Sequence, residues 1–443
     1  MLLVASYYFY MNWKPVYALL ILCSTLTTWW CALKIEASGD RRGRSRWLTL
    51  CLILNLAILF TFKYFNFAAA TITSLLNASD LALQVPNLDV LLPVGISFYT
   101  FQAIGYTIDV YRGSIKAERG IATYALFVSF FPQLVAGPIE RARNLLPQFH
   151  QTHRFDGSQF IEGLRLMAWG YFMKLCIAEN VSSYVDAVYN NLPMHNGTSI
   201  LLATLFFTFQ IFCDFGGYSL IAIGVARCMG FTLMQNFNHP YLATSVKDFW
   251  RRWHISLSSW FAEYVYIPLG GSRCSEVRHQ RNIMITMLLS GLWHGANWTF
   301  VAWGAYHGIM QCLYSLWNKF VKLPRVPALV SRMCAVLLTF VVTMSGWVFF
   351  RANSLADAIE AFHKMFTSHG MLFNGEGKPA LLMALLMMCV LIIKEIKDEL
   401  GLKRLDFMHS SSAGVSVIGF ATVVIMILLC GNFNGGQFIY FQF

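Results

Sequence analysis

His294 lies in Leu288-Leu-Ser-Gly-Leu-Trp-His-Gly-Ala-Asn-Trp-Thr-Phe, a run with no charged residue on either side of it. An ionisable group in such surroundings is costly and marks a functional site by default. A low dielectric disfavours the imidazolium, so the ring is expected to stay neutral and able to take a proton. That is the chemistry of a general base acting on an alcohol. Gly291 and Gly295 flank the histidine and leave room for a ligand or a second backbone to come close.

His254 is the second candidate. Taken as one helix at about 100° per residue, Val246–Tyr264 gathers Trp250, Trp253, Leu257, Trp260, Phe261 and Tyr264 into one stripe. Arg251, Arg252, Ser256 and Ser259 fall away from it, and His254 lies at its edge. An interfacial amphipathic helix accounts for the aromatics and arginines without any chemistry. It does not account for the imidazole.

Other chemistries fit less well. His294 and His307 are spaced as haem ligands on one helix can be, but no second apolar helix supplies a facing pair. Lys174, Glu179, Asp214 and Arg227 flank or enter hydrophobic segments, as ion-pathway residues do. Transport is opposed by the lack of a duplicated half or paired broken helices. No GxSxG string supports a nucleophilic serine, and no ligand set supports a metal.

The elements that must position these residues are apolar. Of 443 residues, 57% are hydrophobic and 12% charged, about half the charge of a soluble domain. Apolar stretches recur near Met1–Trp13, Val16–Leu33, Trp47–Phe62, Leu91–Val110, Ile121–Gly137, Phe160–Ile177, Ile200–Val225, Ile283–Tyr314, Met333–Phe350, Ala380–Ile393 and Val415–Leu429. About ten membrane spans are expected, with Met1–Trp13 too short to cross alone. The stretch from Arg227 to Gln280 is too polar for a span and reads as re-entrant or interfacial helices. The charged segment Lys394 to Arg404 reads as a solvated loop. The net charge of +11 reflects cytoplasmic loops such as Lys34 to Arg46 rather than a nucleic-acid partner. The eleven cysteines are scattered without a CxxC pair and read as small hydrophobes. One membrane domain over residues 1–443, in contact with the lipid bilayer, is the simplest account.

Several strings resemble the membrane-bound O-acyltransferase family, in the polysaccharide-modifying branch that includes the alginate O-acetylation and teichoic acid D-alanine transfer proteins. They are Asp248-Phe-Trp-Arg-Arg-Trp-His-Ile-Ser-Leu-Ser, Tyr264-Val-Tyr-Ile-Pro-Leu-Gly-Gly and Ser290-Gly-Leu-Trp-His-Gly-Ala. Pro93-Val-Gly-Ile-Ser-Phe-Tyr-Thr-Phe, Phe131-Pro-Gln-Leu-Val-Ala-Gly-Pro-Ile, Asp214-Phe-Gly-Gly-Tyr-Ser and the terminal Phe438-Ile-Tyr-Phe-Gln-Phe add to the match. Two departures stand out. The family pattern places another hydrophobic helix before Met1–Trp13, and it often has Arg-Asp after Trp260-Phe261, where Ala262 and Glu263 stand here.

The resemblance implies an all-α polytopic transmembrane fold: a ring of helices, with re-entrant or interfacial helices, around a central tunnel. It implies transfer of an acyl group from a cytosolic thioester to a hydroxyl of an extracytoplasmic polysaccharide, often with a periplasmic or membrane-anchored partner protein. Acetyl is the expected group, D-alanyl the alternative, and acetyl-CoA or an acyl carrier the co-substrate, with no bound cofactor. By position in the motifs, His294 corresponds to the catalytic histidine and His254 to a second histidine that orients or polarises the thioester carbonyl. Asp248, Trp250, Arg251, Arg252, Trp253, Ser258, Trp293 and Asn297 are the candidate donor- or substrate-binding positions. Arg251 and Arg252 would meet phosphates or the membrane surface, with Asp248 as their partner. The cytoplasmic membrane of a bacterium is the expected location.

Overall fold

Inside a bilayer every backbone polar group must be satisfied within the chain, which leaves helices as the natural form of these apolar runs. The computed structural model describes residues 1–80, 84–320, 327–375, 378–402, 407–408, 410 and 412–433, the side chains of 378–380 excepted. Among these residues all regular structure is helical. The terminal Phe438–Phe443 string lies outside them. By contact the chain divides into two compact units, Met1–Asp156 with Met229–Met234, and Gly157–Cys228 with Gln235–Phe443.

The first unit holds α1 (Leu2–Met11), α2 (Ala18–Ala37), α3 (Arg41–Leu59), α4 (Phe65–Ala78), α5 (Ile96–Arg112), α6 (Ile121–Ser129), α7 (Phe131–Leu134) and α8 (Ala142–Phe149). Several of its buried polar groups pair with one another, as most such groups do. Ser24 donates to Asn55 Oδ1 at 2.6 Å, and the Tyr124 hydroxyl donates to Thr28 at 2.7 Å. Gly95 opens α5 at φ +72°, where a Cβ would strike the Leu134 carbonyl. Only glycine satisfies both conditions.

The second unit holds α9 (Gly157–Tyr171), α10 (Glu179–Tyr189), α11 (Gly197–Cys228), α12 (Val246–Arg252), α13 (Ile255–Phe261), α14 (Glu276–His294), α15 (Trp298–Phe320), α16 (Ala328–Arg351), α17 (Leu355–Thr367), α18 (Lys378–Glu399) and α19 (Ala413–Cys430). Its spine is α11, 32 residues long and therefore about 48 Å. Helix α9 lies against it through two glycine pairs. A Cβ on Gly217 would fall 2.6 Å from the Gly170 carbonyl, and one on Gly224 would fall 2.6 Å from that of Gly163. Small residues let membrane helices approach this closely. Where α9 passes into a π-helical segment (Phe172–Ala178), Lys174 meets Asp214 at 2.6 Å and Glu179 at 2.9 Å.

Three expectations about elements are corrected. Five helical stretches among the described residues are long and apolar enough to cross a membrane, against the ten expected: Pro15–Ala37, Arg41–Ala78, Gly197–Cys228, Ala328–Arg351 and Ala413–Cys430. The run Ile283–Tyr314 is two helices with a break at Gly295–Asn297, and Ile121–Gly137 breaks at Phe130. Lys394 to Glu399 is the last part of α18 and not a loop. Its charges are mutually neutralised: Lys394 meets Asp398 at 2.6 Å, Glu399 meets Arg252 at 2.7 Å, and Glu395 meets His239 at 3.0 Å.

Candidate active site

The single helix expected over Val246–Tyr264 is broken at its centre. Helix α12 stops at Arg252, and His254 takes φ +43° and ψ +54° before α13 begins. A left-handed conformation is uncommon outside glycine, though histidine tolerates it better than most residues. The cost of such backbone strain is about 1–3 kcal/mol and has to be met by surrounding contacts. The loop just before α12 supplies them. Ile255 N–H donates to the Asn236 carbonyl at 2.8 Å, and Asn238 N–H donates to that of Arg252 at 2.9 Å. Ser258 Oγ donates to the Trp253 carbonyl at 3.0 Å, so the backbone groups freed by the kink are paired again.

The kink aims His254 at the Asn236 side chain. Asn236 Oδ1 accepts from Ser256 N–H at 3.2 Å and from Ser256 Oγ at 2.9 Å, and lies 3.1 Å from His254 Nδ1. Its Nδ2 donates to Ser219 at 3.1 Å. A backbone N–H can only donate, which fixes the oxygen of the carboxamide on the histidine side. His254 Nδ1 therefore carries the hydrogen, and the neutral ring has its lone pair on Nε2.

His294 ends α14, immediately before the break. Helix α15 then folds back along α14. Gly291 faces the Phe300 carbonyl and Gly304, and Gly295 faces the Phe300 ring, in both cases too closely for a Cβ. The space that the glycines leave is thus filled by the returning chain. Asn297 starts the return, its Oδ1 accepting from Thr299 N–H at 3.0 Å. His294 and His307 consequently stand on opposite arms of a hairpin, and the single-helix spacing that suggested haem does not exist.

These two constructions bring the imidazoles together. Both are buried, with ring centres 6.3 Å apart. Trp293 stands edge-on to both, at 5.7 Å from His254 and 5.1 Å from His294. Phe215 closes the far side of His254 at 4.6 Å, while Trp303 and Phe350 enclose His294 at 4.9 and 5.4 Å. Trp250 and Trp253 are one layer further out. Trp250 packs on Trp303 and His307, and Trp253 on Trp347 and Phe237. Of the polar candidates, Asp248 and Glu399 hold Arg252 at 3.1 and 2.7 Å, and Arg251 is exposed.

Two cavities approach the pair within this unit. One, of about 240 Å3, is lined by Arg165, Trp169, Ser219, Asn236, His239, Lys394, Glu395 and Asp398 among others. It reaches the carboxamide that orients His254. The other, of about 340 Å3, is lined by Asp186, Asn190, Gln210, Asn297, Arg351 and Asn353, with Phe300 and Phe350 as its apolar wall. It reaches the ring that covers His294. Asn236, Gln210, Arg351 and Asn353 escaped the sequence reading. Only Arg351 carried a signal, as the charge that closes the apolar run Met333–Phe350.

Comparison with known proteins decides the class. The profile of the membrane-bound O-acyltransferase family matches residues 116–356. A probable alginate O-acetylase of Azotobacter vinelandii is 40% identical over 369 residues, covering 83% of this chain and 72% of that protein. The chain belongs to the membrane-bound O-acyltransferase family. A peptidoglycan O-acetyltransferase of Helicobacter pylori is 33% identical over 395 residues, 83% of this chain and 74% of its own length. A teichoic acid D-alanyltransferase of Bacillus subtilis is 28% identical over 262 residues, 56% and 65% of the two chains. As a member of the O-acyltransferase family, this chain is a multi-pass membrane enzyme. The family match spans both histidines, Asn236 and the whole lining of the second cavity.

Proposed function

We propose that this enzyme moves an acetyl group from a cytosolic thioester, acetyl-CoA or an acyl carrier, to hydroxyls of an extracytoplasmic polysaccharide. Transfer is direct or passes through a periplasmic or membrane-anchored partner, in the cytoplasmic membrane of a bacterium. The observation that carries this reading is the buried histidine pair with one cavity ending at the Asn236 carboxamide beside His254 and another ending at the Phe350 ring that covers His294. A thioester entering beside Asn236 and a hydroxyl entering beside Phe350 would meet at the two rings, so neither charged carrier need cross the bilayer. Acetyl is preferred to D-alanyl because the relatives at 40% and 33% identity are named for O-acetylation, and that at 28% for D-alanyl transfer.

In this mechanism His294 takes the proton of the acceptor hydroxyl as its oxygen attacks the thioester carbonyl carbon. The new C–O bond forms, the C–S bond breaks, and the leaving thiolate recovers the proton from His294. Holding both reactants in line removes much of the entropic part of the barrier. Between the two roles open to His254, the Asn236 contact supports orientation. A ring whose hydrogen sits on Nδ1 presents a lone pair at Nε2, which accepts a hydrogen bond and has nothing to give a carbonyl oxygen.

The test is sidedness. In proteoliposomes of known orientation, acetyl transfer should occur only when donor and acceptor are on opposite faces, the donor on the cytosolic one. Transfer that requires both on one face, or intact donor accumulating across the membrane, would replace this reading with transport.

A further inference from the structure

The cavity beside Phe350 has an unusual charge balance for a site next to a catalytic histidine. Its charged lining consists of one pair: Arg351 Nη2 lies 2.6 Å from Asp186 Oδ1, and the guanidinium also lies 5.3 Å above the Tyr189 ring. The two formal charges cancel. Much of the remaining polar lining is carboxamide, from Asn190, Gln210, Asn297 and Asn353. These groups are loosely tied to one another. Asn353 Nδ2 donates to Asn190 Oδ1 at 3.2 Å, Asn297 reaches the Asn353 carbonyl only at 3.5 Å, and Gln210 Oε1 is buried with no hydrogen-bond partner in the protein. On the other wall Phe300 and Phe350 stand edge to face at 4.8 Å.

We propose that this cavity receives the acceptor as an uncharged glycosyl residue, held through its hydroxyls, and discriminates against a uronate. The inference rests on the acyl-transfer reading and adds to it the class of sugar. A hydroxyl both donates and accepts, and each carboxamide offers one acceptor oxygen and two N–H hydrogens. A sugar ring with several hydroxyls can engage several carboxamides at once and supply the donor that Gln210 Oε1 lacks, with its C–H face on the phenylalanine wall. A carboxylate has no such welcome. The one cation is already committed to Asp186, so a uronate would be desolvated beside that carboxylate without a free counter-charge. A lone serine hydroxyl from a partner protein would satisfy one carboxamide and leave the rest as they are.

The test is binding of a neutral β-1,4-linked glucose trisaccharide and of a mannuronate trisaccharide to the full chain in detergent micelles, by calorimetry. The neutral trimer should bind at least about tenfold more tightly, the scale of one well-placed hydrogen-bonding difference. Gln210→Leu should weaken neutral binding by about fivefold to tenfold with an unchanged melting temperature, and Asn353→Leu serves if that variant does not fold. Asp186→Asn releases Arg351 and should raise affinity for the uronate relative to the neutral sugar. Equal or tighter uronate binding to the unaltered protein, no saccharide binding at all, or neutral binding that ignores both cavity substitutions overturns the assignment. His294→Ala separates the two readings: it should keep saccharide binding and lose acetyl transfer. Transfer persisting in that variant would sink the mechanism and leave the cavity to be judged on binding alone.

Discussion

On the side reached through Asn236, the cavity lining carries Arg165, Lys394, Glu395 and Asp398, with His239 3.0 Å from Glu395. Beside Phe350, one Arg351–Asp186 pair stands among four carboxamides. The first surface is built from two ion pairs, Lys394–Asp398 and His239–Glu395, and an arginine held by the Ser416 hydroxyl, all able to turn to an arriving charged group. The second is built mainly from carboxamides, which do not titrate, around a single ion pair. In the acyl-transfer reading that difference separates a carrier recognised by charge from an acceptor recognised by hydroxyls, and the histidine pair is where the two meet. It also implies that substitutions should sort by side.

The largest effect should come from the pair itself, because neither cavity functions without it. His294→Ala should lower kcat by about two to four orders of magnitude, the usual loss for a general base, while the protein still enters the membrane and melts cooperatively. Near-native turnover by the purified variant would remove the basis of the comparison. Asn236→Leu comes next. It takes the acceptor away from His254 Nδ1 and Ser256 N–H while leaving every cavity charge in place. Misplacing a reacting group by about 1 Å can cost about a hundredfold, so kcat should fall by roughly tenfold to a hundredfold with little change in donor KM.

Smaller effects should divide the two sides. Lys394→Ala should raise KM for the donor by about threefold to tenfold and leave acceptor KM alone, and Asn353→Leu should do the reverse. Steady-state kinetics varying one substrate at a time would show it, and equal changes in both constants would erase the distinction. The smallest effect is a pH dependence confined to the charged side. Burial lowers the His239 pKa, but the Glu395 carboxylate and the Asp398 charge together outweigh it, so the group sits above its ordinary 6.5. The attraction is therefore complete below about pH 6.5 and fades as pH rises through the elevated value. Donor KM should drift upward over that interval by about twofold, and the drift should vanish in His239→Gln while acceptor KM stays flat.

Legibility of the candidate site followed how local its causes are. His294 stood out because a histidine in an uninterrupted apolar run has few structural reasons to be there, and the strings around it carried the family. The hairpin was hidden by the same run. Hydropathy is continuous through Gly295-Ala-Asn297, although Asn297 two residues before Thr299 is the helix-start signal that the structure uses. His254 was singled out as a candidate, but its placement on one continuous helix was wrong. The sequence around Trp253 holds no glycine or proline, so nothing local announces a positive φ. Asn236 could not be read at all: its role exists only through loop pairing across to the kink. The charges of Lys394–Glu399 looked like solvent-exposed polarity because their partners, Arg252 and His239, are remote in the chain. The membrane-spanning character needed only composition and the lengths of the apolar runs, and for that reason was plain from the start, while the all-α ring was what the family resemblance implied.

The turn at residue 254 also restricts what can ever occupy that position. At φ +43° and ψ +54° a β-branched side chain is excluded by sterics, whereas asparagine is among the few non-glycine residues at ease there. The available alphabet is short, and it happens to include a polar residue that never gains or loses a proton near neutrality. His254→Asn thus exchanges the imidazole for a carboxamide along an unchanged chain path. A descendant of this protein could abandon the imidazole at that spot in one step while keeping its architecture, and an engineer can do the same to learn how much of the rate depends on the ring.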